Sequence, residues 1–144
     1  MEREIKFLKF KPGENTASVL PSSDWCLIIL ANDNQTDYFN EIINNAIDNN
    51  VAYICGVGKQ HELIHELADE ELSYRYAEVS QKHYPKHVVI TVGNEDIEQG
   101  LWSGVYASEH PDVPIQQIII IDMEDFTSAG NILLEKFSGG YIPN

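Results

Sequence analysis

His61-Glu62-Leu63-Ile64-His65 combines residue types that could perform catalysis. On a helix, histidines four apart share a face, so both imidazoles could reach one Zn²⁺ while Glu62 activates a water. The surroundings are less favourable. Lys59 and Glu66 place charges beside a motif that zinc peptidases usually flank with uncharged residues, and a third ligand would have to come from Glu70, Glu78, His83, His87 or His110. At about 100° per residue, both histidines also turn toward the apolar stripe of Ile64, Ala68 and Leu72, where hydrogen-bonded structural histidines are equally at home.

The same stretch follows YICGVG, where a nucleotide-binding fold would carry its glycine turn. His61 stands where the third glycine of GxGxxG belongs, no acid is placed for a ribose, and Lys59 is the one nearby cation, so the pattern does not support a dinucleotide. No GxSxG elbow and no Cys-His nucleophile pair is discernible.

A second group of candidates is acidic. Asp33, Glu95, Asp96, Asp122, Glu124 and Asp125 each fall just after an apolar run. Acids in a first helical turn complement the helix dipole by about 0.3–1 kcal/mol each, which accounts for Glu95 and Asp96. Asp33 and Asp122 end buried strands, a position from which carboxylates hold Mg²⁺ for phosphoryl chemistry, although no phosphate-binding cation accompanies them. Trp102, with Tyr74, Tyr76, Tyr84 and Tyr106, adds aromatic surface suited to a protein interface or to covering the sheet.

The elements that must position these residues are regular. IKFLKF (Ile5 to Phe10) suits a half-exposed edge strand, and a polar link follows to Asp24. WCLIILA (from Trp25), VAYICG (from Val51), HVVITVG (from His87) and VPIQQIIIID (from Val113) read as buried strands. Between them lie a helix capped by Thr36 or Asp37, one from about Gln60 to Lys82 with a candidate break between Asp69 and Ser73, and one from Glu95 to about Ser108. A last helix is capped by Thr127 or Ser128 and ends near Phe137. Apolar strands alternating with amphipathic helices predict a three-layer α/β/α domain spanning residues 1–144, with a mostly parallel Rossmann-like or flavodoxin-like sheet and an N-terminal edge strand. Gly100 and Gly104 inside the third helix imply a close approach of helix to sheet or to a neighbouring helix. Cys26 and Cys55, in two strands, are expected to be reduced and structural.

The net charge is -14, from 23 acidic and 9 basic residues. Such a field repels phosphate backbones and acidic membrane surfaces and attracts basic proteins and cations. We therefore expect no nucleic-acid or membrane partner. With a charged start and no long apolar run, a cytoplasmic location is expected.

WCLIILA, YICGVG followed by His65-Glu66, VVITVGNEDIEQGLWSGVYASEHP and IIIIDM together resemble an uncharacterised bacterial family of small Rossmann-like domains of unknown function. The resemblance covers about two-thirds of the chain and implies a fold, not an activity. Small acidic α/β proteins of this kind also look like the immunity proteins that neutralise secreted toxins. The sequence thus favours a non-catalytic binding protein, monomeric or weakly dimeric and without cofactor, whose basic partner is a toxin domain such as a nuclease. Its contact surface would be the six acids and Trp102. The alternative is a metal-dependent hydrolase, using Mg²⁺ at the carboxylates or Zn²⁺ at His61 and His65 with Glu62.

Overall fold

The most apolar run of the chain becomes the centre of a sheet. In the computed structural model, which describes residues 3–77 and 81–144, β2 (Trp25–Leu30) is buried at every position. Its neighbours are β3 (Tyr53–Val57) and β5 (Gln117–Asp122), and the strand order is β1-β5-β2-β3-β4, with β1 (Glu4–Lys9) and β4 (Ile90–Asn94) at the edges. Every pairing is parallel. The N-terminal strand is an edge strand, with Lys6 and Lys9 exposed.

Four helices cover the sheet: α1 (Phe39–Asp48), α2 (His61–Tyr76), α3 (Ile97–Trp102) and α4 (Thr127–Ser138). The period-two alternation of β2 divides the core. Trp25, Leu27 and Ile29 pack with Ile42, Ile43 and Ile47 of α1 and Ile64 and Ala68 of α2. Cys26, Ile28 and Leu30 pack on the other face with Leu101 and Val105 near α3 and with Leu133 and Phe137 of α4. The result is a three-layer α/β/α Rossmann-like fold.

The small residues of the third helix have their reason here. A Cβ on Gly100 would lie 2.8 Å from both methyls of Val57, and one on Gly104 would lie 2.5 Å from Ile28 Cδ1. The close approach is therefore helix against sheet. Ser103–Ala107 continues α3 as a π turn rather than as α-helix.

Four boundaries depart from the periodicity. The helix at Gln60 to Lys82 starts at His61, runs without a break through Asp69 to Ser73, and ends at Tyr76. The run from His87 forms a strand only from Ile90, which is half-exposed because it pairs with β3 alone. The run from Val113 is strand only from Gln117. Neither Thr36 nor Asp37 caps an α-helix; they start a 3₁₀ turn, Thr36–Tyr38, that precedes α1. Cys26 and Cys55 are unbridged and buried. Burial pushes the Cys55 thiol up to about 12 and Cys26 further still, so both are protonated, inert core residues. Among the described residues no helix is long and apolar enough to cross a membrane.

Because all strands point one way, their carboxyl ends form a single crest and their amino ends a single foot. The registers put Lys9, Leu30 and Asp122 at the same level. From β2 the chain passes to α1 on one face, and from β5 to α4 on the other. The two neighbours thus diverge at the crest, where open α/β sheets place their ligands.

Candidate functional site

At that divergence the chain's own carboxylates occupy the backbone. Asp122 is buried, and its side chain accepts four hydrogen bonds: from the N–H groups of Glu124 (2.9 Å), Asp125 (3.1 Å) and Phe126 (2.6 Å), and from the Thr127 hydroxyl (2.7 Å). It organises the turn into α4, so Thr127 opens the helix as a donor to Asp122 instead of capping it through its own oxygen. Glu124 reaches across to the loop after β2. There its carboxylate accepts from Asn32 N–H (2.9 Å), Asn34 N–H (3.1 Å) and Asn34 Nδ2 (2.7 Å). Amide donors that could face a ligand's phosphate are thereby taken up internally.

The other crest acids face outward. Asp33 is 71% exposed and pairs with Lys59 at 3.4 Å; Asp125 is 83% exposed and pairs with Lys9 at 3.0 Å. Asp33 and Asp122 thus differ in environment, one solvated and one saturated by amides. Asp96 caps α3 by accepting from Gln99 N–H at 2.9 Å, and Glu95 beside it is exposed. Between these loops and α4 runs a groove of about 790 Å³, lined by Asn32, Lys59, Glu95, Asp96, Glu98 and Lys136 and floored by apolar residues that include Ile97, Phe126, Ile132 and Leu133. Trp102 is not part of that lining. It lies roughly 9 Å below Asp96 along α3, with its ring 5.9 Å from Tyr106.

His61 starts α2 at the crest and His65 follows one turn along it, but their polar atoms are engaged separately. His61 Nδ1 donates to the Gly58 carbonyl at 2.9 Å. Its Nε2 lies 4.0 Å from Glu62, whose side chain is 90% exposed. His65 Nδ1 faces Asp69 at 3.4 Å, one turn along the helix. Of the suggested third ligands, His83 bonds Asn50 Oδ1 (2.7 Å), His87 donates to the Val51 carbonyl (2.8 Å), and His110 bonds the Val88 carbonyl. Glu70 is exposed on α2, and Glu78 lies outside the described residues. Among the described residues no three His, Cys, Asp or Glu side chains gather as a metal-holding group. The glycine turn is likewise closed: Gly58, at φ +107, sits so near the Ala31 carbonyl that a Cβ would be 2.6 Å from it, and Lys59 N–H donates to Asn32 Oδ1 at 3.0 Å.

Periodicity does not reveal Arg75. It stands at a core position of α2, four residues after Glu71, with its side chain 1% exposed. All five guanidinium hydrogens are used: Nε on Glu71 (2.7 Å), Nη1 on Asp48 (2.7 Å) and the His83 carbonyl (2.9 Å), and Nη2 on the carbonyl (3.4 Å) and side chain (2.9 Å) of Asn44. Burial opposes the charge on Glu71, but Arg75 and Lys82 together hold its carboxyl below the usual range. The cluster ties α1, α2 and the chain leading to β4 together.

Residues 5–138 match the model of a family described as a domain of unknown function (DUF7684), and the chain belongs to that family. No curated protein and no solved structure matches it significantly.

Proposed function

We propose that this family member is a non-catalytic binding protein that engages a basic protein partner through its crest. Within that class we infer an immunity protein that neutralises a basic toxin, for example a nuclease. The observation that carries the reading is the division of labour among the acids. Asp122, Glu124 and Asp96 are committed to backbone amides, whereas Asp33, Glu95 and Asp125 face solvent beside a groove with an apolar floor, where Ile132 is 57% exposed. A net charge of -14 would steer a cationic partner to that rim, and the groove would receive an apolar anchor from it.

The test uses the product of the adjacent gene as the candidate basic partner. Association is followed by stopped-flow at rising salt, for the wild type, for D33N/E95Q, and for I132D. The reading expects an association rate that falls with salt, a shallower salt dependence in D33N/E95Q, and faster dissociation in I132D. Salt-insensitive binding, or binding indifferent to all three substitutions, would remove the crest as the contact surface.

A further inference from the structure

A larger cleft opens at the other pole. At the foot, about 850 Å³ is enclosed by Arg3, Ile5, Val105, Tyr106, Val113 and Ile115, among other residues. That volume is in the range of small-molecule sites, and the walls combine aliphatic side chains with polar ones, Glu109, His110 and Ser138 among them. Arg3 is the cation on the wall and is held in place from behind. Its Nη1 donates to the Val105 carbonyl (2.9 Å) and to Ser108 Oγ (2.8 Å), and its Nη2 to the Ser108 carbonyl. Ser108 is itself fully buried and anchored, its hydroxyl donating to the Gly104 carbonyl at 2.7 Å.

Arg75 shows what a purely structural arginine does in this molecule: it spends all five hydrogens on the protein. Arg3 spends three. Among the described residues nothing accepts from its Nε–H or from its second Nη2–H. Those two donors lie along one edge of the guanidinium and form the fork that takes a carboxylate side-on. The wall beside it is the π turn Ser103–Ala107, a distortion frequently found at functional sites.

We propose that the foot cleft is a binding site for a small, mostly apolar monocarboxylate, with the carboxylate on the Nε/Nη2 edge of Arg3 and the apolar body against Ile5, Val105, Val113 and Ile115. A single cation with Glu109 also on the wall disfavours a dianionic phosphate, and the aliphatic side chains of Ile5, Val105, Val113 and Ile115 favour a hydrocarbon tail over a sugar. His110 adds no spare donor: its Nδ1 accepts from the N–H groups of Asp112 (3.0 Å) and Val113 (3.1 Å), so its Nε2 carries the proton that meets the Val88 carbonyl.

Hexanoate is the probe, with hexanol and inorganic phosphate as controls, followed by ¹⁵N–¹H correlation spectra of the full chain. Hexanoate should shift the amides of residues 105–110, 112, 113 and 115 saturably, hexanol should bind at least tenfold more weakly, and phosphate should leave these amides unmoved. R3Q should weaken hexanoate binding on the order of tenfold or more, the loss expected for a charge-assisted pair. V113W, which fills the cleft and leaves the guanidinium contacts in place, should abolish the shifts. Should R3Q fail to fold, V113W carries the test alone. The proposal is overturned by absence of saturable shifts, by equal binding of hexanol, by tighter binding of phosphate, by R3Q binding like the wild type, or by shifts that survive V113W.

Discussion

The two poles of the sheet carry opposite charges in their structural roles. At the crest, helices begin, and the groups that satisfy the chain there are carboxylates: Asp96 on α3, Asp122 before α4, and Glu124 on the loop after β2. At the foot, helices end, and the corresponding groups are arginines: Arg75 in the last turn of α2, also bonded to carbonyls of Asn44 and His83, and Arg3 on the carbonyls of Val105 and Ser108 beyond α3. A parallel sheet with crossover helices enforces this, because every helix N-terminus exposes donors at one pole and every C-terminus exposes acceptors at the other. Part of the crest's acidity is therefore architectural. What bears on function is the surplus at each pole: outward acids at the crest, and two donors of one arginine at the foot that nothing among the described residues accepts.

The comparison breaks most sharply at Arg75. R75M should lower the unfolding free energy by about 3–5 kcal/mol in urea titrations, since it removes five hydrogen bonds at a buried position and leaves the largely buried Glu71 to Lys82. The folded-state pKa of Glu71 is depressed, so its contribution is complete above the unfolded carboxylate value of about 4.3 and is lost as pH falls through the folded value. Acid titration of stability should consequently be shallower in R75M than in the wild type. Next comes D122N at the opposite pole. An amide keeps one accepting oxygen of two, and unfolding measurements should show a loss of about 2–3 kcal/mol. E124Q should cost less, about 1 kcal/mol, because half of its acceptor set survives and the site is partly solvated. The smallest effect sharpens the division between structural and surplus acids. D33N/E95Q should change stability by no more than about 0.5 kcal/mol in the same assay, as expected for exposed charges. A loss there as large as that of D122N would mean that no surplus exists.

Much of this was legible beforehand. Three of the four apolar runs end in acids, and parallel packing brings such ends to one pole whatever the strand order. The partner of each acid was not legible. Glu124 meets Asn32 only because β5 lies beside β2, and that adjacency is a property of the strand order, invisible in local periodicity. Arg3 meets Ser108 across 105 positions for a similar reason, through the pairing of β1 with β5. Arg75 occupies a core position that an apolar stripe would assign to leucine, so a pattern read by hydrophobicity passes over it. The apolar run from His87 is longer than the strand it forms because an edge strand pairs on one side only, and Val88 stays 67% exposed outside the ladder.

The place of β5, between β1 and β2, bears on how the protein is made. As the chain leaves the ribosome, the first and second strands emerge early but have no contact in the finished ladder; the segment that joins them is the last strand translated. Until residues 117–122 have cleared the exit tunnel, the nascent chain exposes two unpaired strand edges that await the same insert, and shielding them in that interval falls to the cell's chaperones.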